Sequence, residues 1–182
     1  MRGLLACSLV LAVLAIGAPS AGAVTVCASA DALPVKASSR TLGSAAVCLV
    51  NQERTRRGLR ALRFNRRLSQ AAAGHARDMV SRDYFSHDTA GGGSFVDRIV
   101  KAGYIAQNSF PSLGEDLAWG DGTLGTARSI VRSWMASPGH RANILSRKFR
   151  ELGIGVALGV PGGDAGLGGA TYAIDFGSGG RR

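Results

Sequence analysis

The chain has 182 residues and a formal charge of +10, from 22 Lys and Arg against 12 Asp and Glu. That length suits one hydrophobic core of ordinary size and excludes two comfortable domains. The longest apolar run, Leu4 to Ile16, falls short of the roughly 18 to 20 residues needed to cross a bilayer, which excludes a transmembrane anchor.

At the N-terminus Arg2 precedes that apolar run, and Pro19-Ser20-Ala21-Gly22-Ala23 follows it with small residues. This three-part pattern predicts a cleavable export signal over residues 1–23, and therefore a secreted, extracellular protein. Leu4-Leu5-Ala6-Cys7 resembles a lipoprotein cleavage box, but the three residues before it leave no room for the apolar segment such processing requires. Removing 23 residues from 182 leaves 159, and of the three cysteines only Cys27 and Cys48 remain. In an oxidising compartment these two are expected to pair. The bridge would tie a coil-like arm, residues 24–40, to the first helix and stabilise by about 3 kcal/mol in the chain-entropy model.

The main domain is expected over residues 41–177. Leu42, Ala45, Ala46 and Leu49 predict an amphipathic helix from Thr41, its N-cap, to Arg57, with Gly58 as a stop. Asn65 caps a second helix whose apolar stripe is Leu68, Ala72, His75 and Met79. Phe95, Ile99 and Val100 mark a short third helix ending at Gly103. A fourth runs from about Thr123 to Ala136 with Ala127, Ile130, Val131 and Trp134, and Ser137-Pro138 opens a fifth through Leu145. Strands are expected at Tyr104–Gln107, Leu113–Ala118, Leu152–Leu158 and Ala170–Phe176, with a glycine-rich connection, Gly159–Gly169, between the last two. Helices come first and a mainly antiparallel sheet is completed last, so the fold class is α+β or a layered α/β/α domain. Residues 178–182 read as a flexible tail.

Nine arginines lie between Arg54 and Arg82. Arg54, Arg56, Arg57, Arg60, Arg63, Arg66 and Arg67 lack interleaved aromatics apart from Phe64 and match no nucleic-acid motif, which argues against a nucleic-acid partner. They read as a solvated basic face. Outside the cell its partners would be anionic envelope polymers and lipid head groups.

Two of the three histidines sit in distinctive settings, Tyr84-Phe85-Ser86-His87 and Ser137-Pro138-Gly139-His140-Arg141-Ala142-Asn143, with Leu113-Gly114-Glu115-Asp116-Leu117-Ala118-Trp119 between them. Together with Leu49-Val50-Asn51-Gln52-Glu53-Arg54 and His75-Ala76-Arg77-Asp78-Met79, the order and spacing of these segments resemble the CAP superfamily (cysteine-rich secretory proteins, antigen 5 and pathogenesis-related 1), and within it the secreted bacterial SCP-like branch. The resemblance spans Cys48 to Phe176. It implies a three-layer α-β-α sandwich of the PR-1-like type, with a cleft whose floor carries two histidines and acidic partners: His87, Glu115 and His140, with Asp116 beside them where the family usually has Asn. A second glutamate, which many eukaryotic relatives carry shortly after the tryptophan matching Trp134, is missing here: Met135, Ala136 and Ser137 follow.

Two neutral imidazoles can bind a divalent cation such as zinc, and a nearby carboxylate can fix a ring tautomer. His87 and His140 are therefore the candidate metal ligands, although catalytic zinc normally has three protein ligands and no His-Glu-x-x-His helix is present. Three readings stay open. In the first, a non-enzymatic cleft binds a small ligand, lipid or envelope component. In the second, a metal-assisted extracellular hydrolase uses Glu115 as general base; in the third, a basic scaffold binds the envelope and His87, Glu115 and His140 form a structural hydrogen-bonded network. Gly-x-Ser-x-Gly is absent, so a serine hydrolase is disfavoured. His75, on an apolar stripe, reads as a core histidine with one polar partner; Trp119 and Trp134 read as core or cleft-wall residues.

Overall fold

A computed structural model describes residues 26–105, 111–163 and 168–179. The export signal and residues 180–182 lie outside the described residues. Cys27 and Cys48 form the expected disulfide, with Cα atoms 5.6 Å apart, and Cys27 joins the core. The arm is more ordered than a coil: Pro34–Lys36 forms a 3-10 turn, and α1 (Ser39–Thr55) starts two residues before Thr41. Ser38 is its N-cap, because the Ser38 hydroxyl accepts from Thr41 N at 3.1 Å.

Asn65 caps α2 (Arg66–Ser81) as expected, accepting from the backbone N–H groups of Arg67 and Leu68. In α3 (Phe95–Lys101), Ser94 and Asp97 form a reciprocal capping box. Gly103 (φ +74°) then ends α3 with paired bonds, Gly103 N to Val100 O and Tyr104 N to Ile99 O. That ending turns Tyr104 into the core, where its hydroxyl donates to Glu151 Oε2 at 2.8 Å. Tyr104 and Ile105 are accordingly not in a strand; the rest of that expected strand, Ala106 and Gln107, lies outside the described residues. The fourth expected helix is split into a 3-10 turn (Gly122–Gly125) and α4 (Ala127–Ala136), because the Thr126 hydroxyl caps α4 by accepting from Ser129 N. α5 (Pro138–Ile144) follows with proline at its first turn, and Ser137 occupies the N-cap position without a side-chain cap bond.

The strands are β1 (Arg63–Phe64), β2 (Leu113–Asp121), β3 (Glu151–Leu158) and β4 (Gly169–Gly177). They form one sheet in the order β1-β3-β4-β2. β4 pairs antiparallel with both β2 and β3, whereas β1, too short to show periodicity, pairs parallel with Glu151 and Leu152 of β3. The sheet is thus mixed and mainly antiparallel. Ser178, placed in the tail by the sequence, is held by bonds to Ser112, N–H to carbonyl at 3.1 Å and Oγ from Ser112 N at 3.1 Å.

Strand parity separates two faces. Leu152, Ile154, Val156, Tyr172, Ile174 and Phe176 form one core with α1 and α4, into which Trp134 is fully buried and donates Nε1–H to Leu117 O. On the other face Gly153, Gly155, Ala157 and Ala173 meet α2. A Cβ at Gly155 would lie 2.1 Å from Ala73 N, and one at Gly153 2.0 Å from Ser69 N, so the helix backbone rests directly on the strand. Trp119, by contrast with Trp134, is half exposed near the end of β2.

Arg54 departs from the solvated basic face. It is 2% exposed, its Nε donates to Arg60 O, and its Nη1 donates to Ile144 O and Ser146 O. A long cationic side chain here ties α1 to the turn after α5, satisfying carbonyls at a helix end.

Candidate functional site

The site forms where the helix face of the sheet runs out of small apolar residues. Along β2 and β4, Leu117 and Ala173 face α2, and the next pair on that face in register is Glu115 and Asp175. Two carboxyls are therefore placed side by side, each almost wholly buried. The partners of Glu115 come from elsewhere in the chain: His87 Nδ1 lies 2.8 Å from Glu115 Oε1, and the Arg98 guanidinium donates from Nη2 to Glu115 Oε2 at 2.6 Å. Arg98 Nη2 also donates to His87 O at 2.9 Å, so one guanidinium holds the carboxylate and the loop carrying the imidazole.

That loop is fixed from behind. His75, on the buried stripe of α2, places Nε2 2.8 Å from Ser86 O. A carbonyl only accepts, so Nε2 carries the proton. Burial, then the charge of Arg98, lowers the His75 pKa and keeps the ring neutral. Tyr84 donates its hydroxyl to Asp78 Oδ2 at 2.5 Å and lies 3.4 Å from His75 Nδ1. Burial, reinforced by Asp78, pushes Tyr84 up to about 12. His75 is thus a core histidine, with Ser86 O and Tyr84 as neighbours, that positions the residue before His87.

His87 remains half exposed while Glu115 is 1% exposed at the side chain. Nδ1–H donates to the carboxylate, so Nε2 is the ring nitrogen turned away from Glu115. His140 stands on the first turn of α5, and burial, followed by the nearby His87, lowers its pKa. Asp175 has no hydrogen bond of good geometry at either oxygen, and burial with the adjacent Glu115 charge raises its pKa well above the carboxylate range. Of the two neighbouring carboxyls, Asp175 is the one whose charged form burial disfavours. Two nitrogens of Arg98, Nε and Nη1, are also buried without a partner.

Asp116 is parted from this group by strand parity and points through the sheet toward α5. Its Oδ1 accepts from Asn143 Nδ2 at 2.7 Å, and its Oδ2 is buried unpaired. Burial, together with Glu115, pushes Asp116 up to about 7 despite the Asn143 bond. The structure therefore joins His87 to Glu115, leaves His140 on α5 linked to them only through the charge effect of His87, and removes Asp116 to the opposite face.

Arg98, Asp175, Asn143 and Tyr84 were not singled out from sequence. Asp175 had a signal: in Ala170 to Phe176 it shares parity with Thr171 and Ala173, opposite the apolar run. Arg98 had none, since its partner lies 17 residues away in another element. Among the described residues no three His, Cys, Asp or Glu side chains are arranged to hold a metal ion. His87 and His140 can supply two nitrogen ligands, fewer than zinc ordinarily takes from protein, because both Glu115 oxygens are already engaged.

Comparison with known proteins agrees with the fold. Residues 47–170 match the family described as CAP, the cysteine-rich secretory protein family. The uncharacterized protein YkwD of Bacillus subtilis (strain 168) is 36% identical over 107 residues, covering 59% of this chain and 39% of YkwD. The uncharacterized membrane protein YlbC of the same organism is 34% identical over 110 residues, covering 59% and 29%. The chain thus spans well under half the length of these curated relatives. Among solved structures, an extracellular protein containing a SCP domain from Bacillus anthracis str. Ames has a TM-score of 0.59 at 25% identity, covering 77% of this chain and 43% of that one. An outer surface protein from Borrelia burgdorferi has a TM-score of 0.58 at 17% identity, covering 72% and 88%, and shares the fold alone. On its matched segments and its fold, the chain belongs to the CAP, or cysteine-rich secretory protein, family.

Proposed function

We propose that the chain is an exported CAP domain whose cleft binds a small ligand or cell-envelope component through His87 and His140, which can also hold a divalent cation such as zinc. The observation that carries this reading is the half-exposed His87 ring held at Nδ1 by buried Glu115, with Arg98 clamping the same carboxylate. A carboxylate behind a histidine fixes its tautomer and raises the basicity of the outward nitrogen, the arrangement that supports metal-ligating imidazoles. The lowered pKa of His140 keeps it unprotonated, as a ligand must be, at neutral pH. A bound cation would supply charge to fix an anionic ligand, and the protein residues would orient the two nitrogens.

Export is supported by the sequence of residues 1–23 and by the disulfide. Among the described residues no helix is long and apolar enough to cross a membrane. Hydrolysis with Glu115 as general base draws no support from a side chain that is 1% exposed and accepts from two partners. Beside α5, a pocket of about 340 Å³ between Met135, Pro138, Arg141 and Leu145 offers room for an apolar part of a ligand.

The test is metal content and thermal melting of the disulfide-bonded protein with and without zinc. Wild type is expected to melt higher with zinc and to lose that gain in both His87→Ala and His140→Ala. A wild-type melting temperature indifferent to zinc, with no metal retained, would overturn the metal part of the reading.

A further inference from the structure

The sheet ends in the full-length strand β2 on one side and in the two-residue strand β1 on the other. β1 pairs only with Glu151 and Leu152, while β4 follows β3 along all eight residues. Among the described residues the edge of β3 from Gly153 to Leu158 therefore has no strand beside it. It faces a groove of about 1090 Å³ walled by α1 and α2, with Ile154, Gly155 and Val156 at its base. Odd-numbered β3 residues turn their main-chain groups to β4, as the bond from Gly159 N to Gly169 O continues to show. Even-numbered ones turn theirs to the groove, as the bonds from Asn65 N to Leu152 O and from Ser69 Oγ to Ile154 O show. Ser69 thus satisfies one carbonyl, and the Ile154 N–H and both main-chain groups of Val156 are aimed into the groove.

The rim is basic. Arg40 on α1 and Arg66 and Arg77 on α2 line the groove, all three exposed, and none makes a salt bridge among the described residues. Among the described residues no carboxylate lines it. A lipid tail could not satisfy the main-chain groups at its base, and a polyanion without amides could meet only the rim. An extended acidic polypeptide meets both, by hydrogen bonding along the edge and ion pairing at the arginines. The half-exposed ring of Phe64, at the end where β1 stops, offers an apolar contact.

We propose that this groove is a peptide-binding site, separate from the histidine cleft, in which an extended acidic segment of a partner protein adds a strand to the open edge of β3 between α1 and α2. The open edge is about 20 Å long at ~3.3 Å per residue, room for about six residues.

The experiment titrates the full chain into a fluorescent peptide of about eight residues alternating glutamate and valine, long enough to cover that span with about one residue beyond each end, and reads anisotropy. Three comparison probes are the same peptide with every backbone amide N-methylated, the peptide with lysine for glutamate, and polyphosphate as competitor. Saturable binding of the first peptide is expected, with at least tenfold weaker binding of the methylated and lysine forms. The double variant Arg40→Glu, Arg77→Glu is expected to lose a similar factor, and His87→Ala to bind unchanged. Val156→Pro removes a groove-facing N–H without removing a bond to β4, and should weaken binding likewise. If that variant fails to fold, the methylated peptide probes the same bonds from the ligand side. Equal binding of the methylated peptide, or displacement by polyphosphate with no loss on methylation, would show an ion-exchange surface and overturn the proposal. So would no binding at all, or loss of binding in His87→Ala.

Discussion

The two faces of the sheet solve the same packing problem with opposite materials. Toward α1 and α4, large side chains from β3 and β4 interlock with helix residues and with Trp134. Toward α2, Gly153 and Gly155 let the helix backbone touch the strand, and the face ends in a buried cluster of Glu115, Asp175 and Arg98. The first face tolerates repacking because side chains can adjust; the second cannot, because backbone meets backbone. Close packing of α2 also holds His75 against the loop of His87, so the stiff face is the one that carries the site.

The largest effect expected from this difference is at Gly155. Gly155→Val should cost more than roughly 4 kcal/mol and prevent folding, against about 2–4 kcal/mol for Leu152→Ala on the other face. Expression and urea unfolding of the two variants check it; a folded, stable Gly155→Val protein would break the contrast. Next comes Arg98→Ala, which strands the Glu115 carboxylate in a buried setting and should cost about 3–5 kcal/mol. The additional substitution Glu115→Gln should recover part of that loss, because it removes the stranded charge. Cys27→Ser, acting on the apolar face, should cost about 3 kcal/mol whatever the pH, as read from melting under non-reducing conditions.

The smallest effect sharpens the comparison through pH. Folded Asp116 keeps its proton up to about 7, whereas an unfolded aspartate loses it at about pH 4. The folded state therefore binds more protons in that window, and this group makes stability fall as pH rises through it. Asp175 is shifted in the same direction. Asp116→Asn should flatten part of the slope and stabilise by about 2 kcal/mol at pH 8, the gain limited by the unpaired buried amide it leaves. Unfolding midpoints from pH 4 to 8 measure this, and an unchanged slope would mean that Asp116 ionises freely in the folded protein.

Much of this was legible in the sequence where the signal is local. Asn65 and Gly103 mark a helix start and a helix end through cap chemistry, and both do so in the structure. Thr41 was taken for the cap that Ser38 supplies, because neighbouring hydroxyl residues offer the same local signal. Tyr104 looked like strand because it is aromatic, yet the turn at Gly103 directs it into the core. Arg54 looked like one more surface arginine in a run, since composition cannot say which carbonyls will lie within reach of a long side chain.

By itself the sequence determined the family and the pairing of Cys27 with Cys48, and it marked His87 and Glu115, which the structure joins. Those depend on residue types and spacing along the chain. Tertiary structure alone decided that Asp116 leaves the set for the opposite face, that Arg98 and Asp175 enter it, and that β1 stops short and leaves the edge of β3 open. The positions of Asp116, Asp175 and β1 follow from strand parity and register between segments as far apart as Arg63 and Glu151, and Arg98 enters from α3. Local propensity carries no information about such pairings until the sheet has formed.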